Sequence, residues 1–367
     1  MNPGLTSPVG PRVFIEGRER DYFSGTGYLG LQSHPQVIQA ALDCIKRYGI
    51  STATSRGGYG EHPVYSELEA ELCSFFTAEA ALFFATSYLG TSILIQGFQG
   101  DFERVFYDEW SHFSILDAVK AAGKPVHPYP HLNPHGLRAI LKQTLSPGER
   151  PLIMSDGVFP ISGEIAPLPD LLQLADDYSG RLVLDDAHAV GVLGPSGRGT
   201  ADFFGIAPGV RYAASATLSK GLGGFGGILT GAASLIERLN QRSKVIVASS
   251  PPPLPAAAAS ARALSLARKH PELRTRLAEN VRLARDGLRS LGWDLADSPV
   301  PILCLGIRPG LDLQHIKEEL YHRDICIAHI TTYSSTPPGG ALRIAIFANH
   351  TREQVERLVD EMAQVIK

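Results

Sequence analysis

The chain has 367 residues, 44% hydrophobic and 19% charged, enough apolar material for a large core plus a smaller one, which excludes a disordered chain. Its formal charge of −3 at pH 7 comes without any run of lysines and arginines interleaved with aromatics, which excludes the usual nucleic-acid footprint. Residues 1–11 lack the basic start and apolar stretch of a secretory signal, and no run of about 18 apolar residues follows, so a cytoplasmic protein without a membrane span is expected.

In chain order, short apolar runs at 81–86, 104–107, 151–155, 181–184, 212–217 and 227–231 alternate with longer amphipathic stretches such as 168–178. Such runs read as strands of a mainly parallel sheet covered by helices, an α/β domain. The proline-rich stretch 249–255 is the expected boundary. Beyond it follow a helix-like stretch at 256–291, an apolar run at 301–305, a helix around 313–322, strands near 325–330 and 342–347, and a closing helix from Thr351, where Glu353 suits a helix start. The expected division is an amino-terminal arm with part of a small domain in 1–50, a large domain in 51–255, and a small α+β domain in 256–367.

Several motifs carry no chemistry. Cys44, Cys73, Cys304 and Cys326 are scattered without a CxxC pair, and no HExxH occurs, so neither a disulfide framework nor a metal site is expected. Gly221 to Gly226 satisfies GxGxxG, but a strand follows where a dinucleotide fold requires a helix. Gly194 to Gly199 has the spacing of a phosphate loop, yet Thr200 stands where the lysine belongs.

The sharpest local feature is Thr217-Leu218-Ser219-Lys220-Gly221-Leu222-Gly223-Gly224. It leaves a strand at the carboxyl end, where open α/β sheets bind ligands; alone, such a lysine reads as a surface residue at a turn. Upstream, the run Leu182-Val183-Leu184 ends in Asp185-Asp186-Ala187-His188, and another strand ends in Asp108-Glu109-Trp110-Ser111-His112. A lysine, a strand-end acid and two histidines suit pyridoxal 5'-phosphate (PLP). Its protonated pyridine nitrogen needs a carboxylate partner, for which Asp185 is the candidate, and its phenolic oxygen needs a donor, for which His188 is placed. His112 is positioned to lie flat against an aromatic cofactor, and Asp186 is expected to point elsewhere.

These segments resemble the α-oxoamine synthases of PLP fold type I. The resemblance runs from about Tyr28-Leu29-Gly30-Leu31 through Ser55-Arg56, Asp156-Gly157-Val158-Phe159, Ala166-Pro167-Leu168 and Gly197-Arg198-Gly199 to Leu342-Arg343-Ile344 and His350-Thr351. It implies a mainly parallel seven-stranded sheet plus a small α+β domain. By position, it implies that Lys220 carries the cofactor, Asp185 pairs with the pyridine nitrogen, His188 meets the phenolic oxygen and His112 stacks on the ring. Thr217 and the surroundings of Lys220, with backbone amides of Ser87 and Tyr88, would hold the phosphate. Arg343 would take an amino-acid carboxylate. A homodimer is implied, with the active site at the interface and Ser249 or Ser250 reaching the partner's phosphate.

The implied reaction condenses an amino acid with an acyl-CoA thioester, losing carbon dioxide, to give an α-amino ketone. An aminotransferase uses the same lysine, aspartate and arginine, and a PLP-fold binding protein without catalysis is the third reading. Three positions depart from the family pattern: Gly27 where asparagine is usual, Pro160 where serine is frequent, and Tyr65 where a histidine is common.

Overall fold

The structure, a computed structural model, describes residues 4–207 and 212–367. Its strands, in chain order, are β1 (Arg12–Ile15), β2 (Arg18–Tyr22), β3 (Ala80–Phe84), β4 (Arg104–Asp108), β5 (Val126–Tyr129), β6 (Pro151–Asp156), β7 (Arg181–Asp185), β8 (Tyr212–Thr217), β9 (Gly227–Gly231), β10 (Ile302–Gly306), β11 (Ile325–Cys326), β12 (Ala328–Ile330) and β13 (Ala341–Ala345). Seven of them form one sheet in the order β3-β9-β8-β7-β6-β4-β5. Only β9 runs against its neighbours. Every residue of β6 is buried, as are all but the first of β7. This is the expected state of central strands covered by helices on both faces, and it explains why they read as unbroken apolar runs.

The edge strand β5 was not expected from the sequence. In its Val-His-Pro-Tyr only Tyr129 is buried, and the run is interrupted by Pro128, which a central strand does not tolerate and an edge strand does, since one side needs no ladder donor. The GxGxxG stretch leads into β9, a strand, as expected. Its Gly226 has φ of +103°, and a Cβ there would lie 2.5 Å from the Phe83 ring; the glycines serve a tight turn between β8 and β9.

Beyond the sheet, the expected helix over 256–291 is two helices, Leu254–Lys269 and Glu272–Ser290. The apolar period continues through both, but Pro271 has no N–H to extend the first and restricts His270 before it. The expected strand near 325–330 also divides. β11 pairs with β2 in a sheet of order β1-β2-β11, and β12 joins the antiparallel sheet β10-β13-β12. The amino-terminal hairpin is thereby stitched to the carboxyl-terminal part of the chain. The last helix, Arg352–Val365, starts at Thr351 as expected, but its capping box uses Gln354 rather than Glu353.

Candidate active site

Four strand ends point to one place. β4 ends at Asp108, β6 at Asp156, β7 at Asp185 and β8 at Thr217, all at the carboxyl edge of parallel strands, where the loops are free to build a site. Asp156 and Asp185 are register partners on adjacent strands. The turn after β8 is fixed by its own hydrogen bonds. The Leu218 N–H donates to the Gly226 carbonyl at 2.9 Å, the Gly224 N–H to the Leu218 carbonyl at 2.7 Å, and the Gly226 N–H to Ser219 Oγ at 3.0 Å. From this turn Lys220 enters a cavity of about 440 Å³ shared with Ser87, Tyr88, His112, Ser114, Asp156, Asp185, His188, Tyr333 and Arg343.

Two hydrogen-bonded chains organise the cavity. In the first, Lys220 Nζ lies 2.8 Å from His188 Nε2, and His188 Nδ1 lies 2.8 Å from the Tyr28 hydroxyl. Arg343 donates to that hydroxyl at 3.4 Å, to the Pro160 carbonyl at 2.8 Å and to the Gly25 carbonyl at 3.1 Å. In the second, Asp185 accepts from the Ala187 N–H at 3.0 Å, and the Ser114 hydroxyl oxygen lies 3.3 Å from it. The Ser114 hydroxyl also lies 2.7 Å from His112 Nδ1, and His112 Nε2 lies 2.7 Å from the Tyr333 hydroxyl. The His112 backbone N–H donates to Asp156 at 2.7 Å.

The electrostatics follow from enclosure. Lys220 as a whole residue is half-buried, and its amine sits deep in the site. Burial brings that amine down to about 8, with Asp185 and Asp156 opposing the shift and Arg343 adding to it. Burial lowers His188 well below the ordinary imidazole value, and the positive charges of Lys220 and Arg343 lower it further. His112 is also lowered by burial. Asp156 moves the other way, raised by burial and by the charge of Asp185. The result is a reactive amine near two neutral imidazoles, with a carboxylate held by the Ala187 N–H in the same cavity.

Asp186 points elsewhere, as expected, accepting from the Thr200 N–H at 3.0 Å and the Thr200 hydroxyl at 2.6 Å. Lys220, Asp185, His188, His112, Ser87, Tyr88 and Arg343 all line the one cavity. Thr217 does not. It is buried behind the turn, its hydroxyl donating to the Gly226 carbonyl at 3.1 Å and accepting from the Ser219 N–H at 3.1 Å. Ser249 and Ser250 also lie outside this chain's cavity, and the Ser249 hydroxyl donates to the Val245 carbonyl at 2.5 Å.

The three departures fall in different places. A Cβ on Gly27 would lie 2.5 Å from the Gln32 side chain, so that position faces away, and Thr26 is the polar residue lining the cavity. Pro160 lines it and offers Arg343 a carbonyl. Tyr65 is buried elsewhere and donates to the Pro252 carbonyl at 2.6 Å, which anchors the proline-rich stretch. The loop at Gly194 to Gly199 spends its N–H groups on an internal carboxylate: Ser196 and Arg198 donate to Asp202 at 2.8 and 3.2 Å.

Sequence reasoning missed Tyr28, Ser114, Asp156 and Tyr333. Asp156 carried a signal, an acid at the end of a strand next to the one bearing Asp185. The buried Tyr28 and the distant Tyr333 carried none that spacing reveals, because each meets its histidine from more than a hundred residues away in the chain.

The residues present fit PLP: a buried amine of lowered basicity, a strand-end carboxylate held by the Ala187 N–H, and a neutral imidazole share a cavity bordered by Ser87 and Tyr88, beside the start of the helix Gly90–Gly97. Comparison with known proteins agrees. Residues 24–362 match the family Aminotransferase class I and II. An 8-amino-7-oxononanoate synthase from Methylococcus capsulatus is 36% identical over 363 residues, covering 99% of this chain and 93% of that protein. The 8-amino-7-oxononanoate synthase 1 of Bacillus subtilis is 32% identical over 99% of this chain and 92% of its own length. Among solved structures, a serine palmitoyltransferase from S. paucimobilis with a bound PLP–myriocin adduct superposes with a TM-score of 0.91 at 23% identity, covering 100% of this chain and 93% of that one. An 8-amino-7-oxononanoate synthase from Francisella tularensis superposes at 0.78 with 22% identity, covering 94% and 97%. These two share the fold. Among the described residues no helix is long and apolar enough to cross a membrane. The chain belongs to the class I and II aminotransferase family, as a PLP-dependent transferase of fold type I in the α-oxoamine synthase group.

Proposed function

We propose that the chain joins an amino acid to an acyl-CoA thioester, with loss of carbon dioxide and release of the thiol, to give an α-amino ketone. The observation that carries this reading is one cavity in which Lys220, lowered to about 8, stands 2.8 Å from His188 and shares walls with Asp185 and Arg343. The relatives' name gives the substrates by carbon counting. Their product has a ketone one carbon inside an amine-bearing carbon that ends in a methyl group. Alanine supplies those last two carbons after losing its carboxyl, and a seven-carbon dicarboxylic acyl group supplies the rest.

Bound PLP supplies an electron-withdrawing ring for the amino-acid Cα. Lys220 would hold the cofactor, and its amine, whose basicity burial lowers, could take the Cα proton when free. Asp185 would hold a proton on the ring nitrogen, His188 would donate to the phenolic oxygen, and His112 would stack on the ring. Ser87 and Tyr88 would border the phosphate, and Thr217 stiffens the turn that carries Lys220. Arg343 uses three N–H groups on Tyr28, Pro160 and Gly25, which leaves two of its five for a carboxylate.

In this reading the protein is a cytoplasmic homodimer, with Ser249 or Ser250 completing the partner's phosphate site. Ile38, Leu42 and Ile45 support it, being exposed on one side of the helix Pro35–Tyr48 at helical spacing, with Ile50 next to them. Residues 51–255 form the large domain. Residues 1–50 and 256–367 form the small one, a division favoured by the pairing of β2 with β11.

With alanine and the seven-carbon acyl-CoA, the PLP-loaded protein is expected to release thiol only when both substrates are present, read with a thiol-reactive chromophore. Keto acid and pyridoxamine phosphate formed from alanine alone, with no thioester-dependent thiol, would show transamination instead.

A further inference from the structure

We propose that the Tyr333 hydroxyl is the hydrogen-bond donor for the thioester carbonyl oxygen of the acyl substrate, with His112 fixing its direction. This rests on the acyl-transfer reading above and names a group that acts only in its second half.

The tautomer of His112 leads to it. The Ser114 backbone N–H donates to His112 Nδ1 at 3.1 Å, so that nitrogen carries a lone pair, and the Ser114 hydroxyl, 2.7 Å away, turns its one hydrogen to the same nitrogen rather than to Asp185. The ring is neutral at pH 7, since burial lowers its basicity, and a neutral imidazole has one N–H. That hydrogen is therefore on Nε2, 2.7 Å from the Tyr333 oxygen, which accepts it. The phenol's own hydrogen remains, and among the described residues no acceptor for it is seen. Burial and the nearby Asp156 raise the phenol above its ordinary value, so the hydrogen stays on at neutral pH.

Its placement selects the ligand atom. Tyr333 lines the cavity but is 38% exposed, whereas Arg343 is 6% exposed. Arg343 is a cation suited to the amino-acid carboxylate, and a neutral phenol at the mouth suits the uncharged carbonyl of the substrate that enters second. The loop bearing it is anchored: the Tyr333 N–H donates to Thr336 Oγ1 at 3.1 Å, and the Ile161 N–H donates to Ser335 Oγ at 3.4 Å. When the deprotonated Cα attacks, the new C–C bond forms and the carbonyl pair moves onto oxygen. Its return breaks the C–S bond, and the thiolate leaves and takes a proton. A donor already aimed at that oxygen stabilises the charge without reorganisation.

The test uses Tyr333→Phe in the PLP-loaded protein, which keeps the ring beside Phe113 at 5.2 Å between centroids. Three readouts are compared: the spectral change on adding alanine, exchange of the alanine Cα hydrogen for solvent deuterium by NMR, and thiol release. The first two should stay within about 2-fold, while kcat for thiol release falls by about 10²-fold, the loss expected for one such donor. Thiol release at the wild-type rate overturns the assignment. So does an equal fall in exchange and thiol release, which would mean that Tyr333 acts through His112 on the cofactor. A wild-type chain that exchanges the Cα hydrogen but releases no thiol overturns the acyl-transfer reading, and this assignment with it.

Discussion

Lys220→Ala is expected to lower thiol release by about 10³-fold or more, since a positioned general base alone contributes about 10²–10⁴. Among the described residues the variant loses the only amine that lines the cavity, so nothing there remains to hold the cofactor covalently or to take the Cα proton. Its folding should not suffer. In the folded chain the amine is lowered from its usual 10.5 to about 8, so folding disfavours the protonated form. That penalty is fully present below about 8, and it disappears as the pH rises from there to 10.5. Cofactor-free wild-type protein should therefore gain thermal stability across that window, and Lys220→Ala should show no such gain. Turnover in the variant within about tenfold of wild type would remove the lysine from the chemistry.

Asp185→Asn is expected to lower kcat on the order of 10²-fold, the equivalent of about 3 kcal/mol for a hydrogen bond to a charged group. The substitution keeps the shape and an oxygen for the Ala187 N–H, which now donates to the carboxylate at 3.0 Å. What it removes is the charge that keeps a proton on the ring nitrogen. Asp156 is not a substitute, because burial raises it toward the neutral form and its nearest donor is the His112 backbone. With the charge at 185 gone, one cause of that elevation goes too, and Asp156 should titrate lower, measurable by NMR of the labelled carboxyl. Cofactor content should be little changed; a variant turning over within about 3-fold of wild type would show that the ring nitrogen has no need of this carboxylate.

The central strands were legible because residues buried on two faces must be apolar, and such runs survive as a pattern in the chain. Asp185, His188, His112 and Lys220 were legible for a related reason: each stands at the end of a strand or within four residues beyond it, and strand ends converge at one edge of a parallel sheet. What escaped was set by contacts through space. Tyr28 earns its place by meeting His188 across 160 residues and Tyr333 by meeting His112 across 221, and no local pattern encodes either. The break at Pro271 was written in the sequence, but the apolar period on both sides masked it. Gly27 shows a different limit. The departure from the family pattern is visible in the chain, but not that the backbone turns that position toward Gln32 and presents Thr26 to the cavity instead.

Borohydride reduction of the PLP-loaded protein, followed by peptide mapping by mass spectrometry, addresses the chemistry most directly. The predicted result is loss of the visible absorption band together with a reduced cofactor attached to the peptide that contains Lys220. Attachment to another lysine, or no attachment at all in protein that still turns over, would contradict the account.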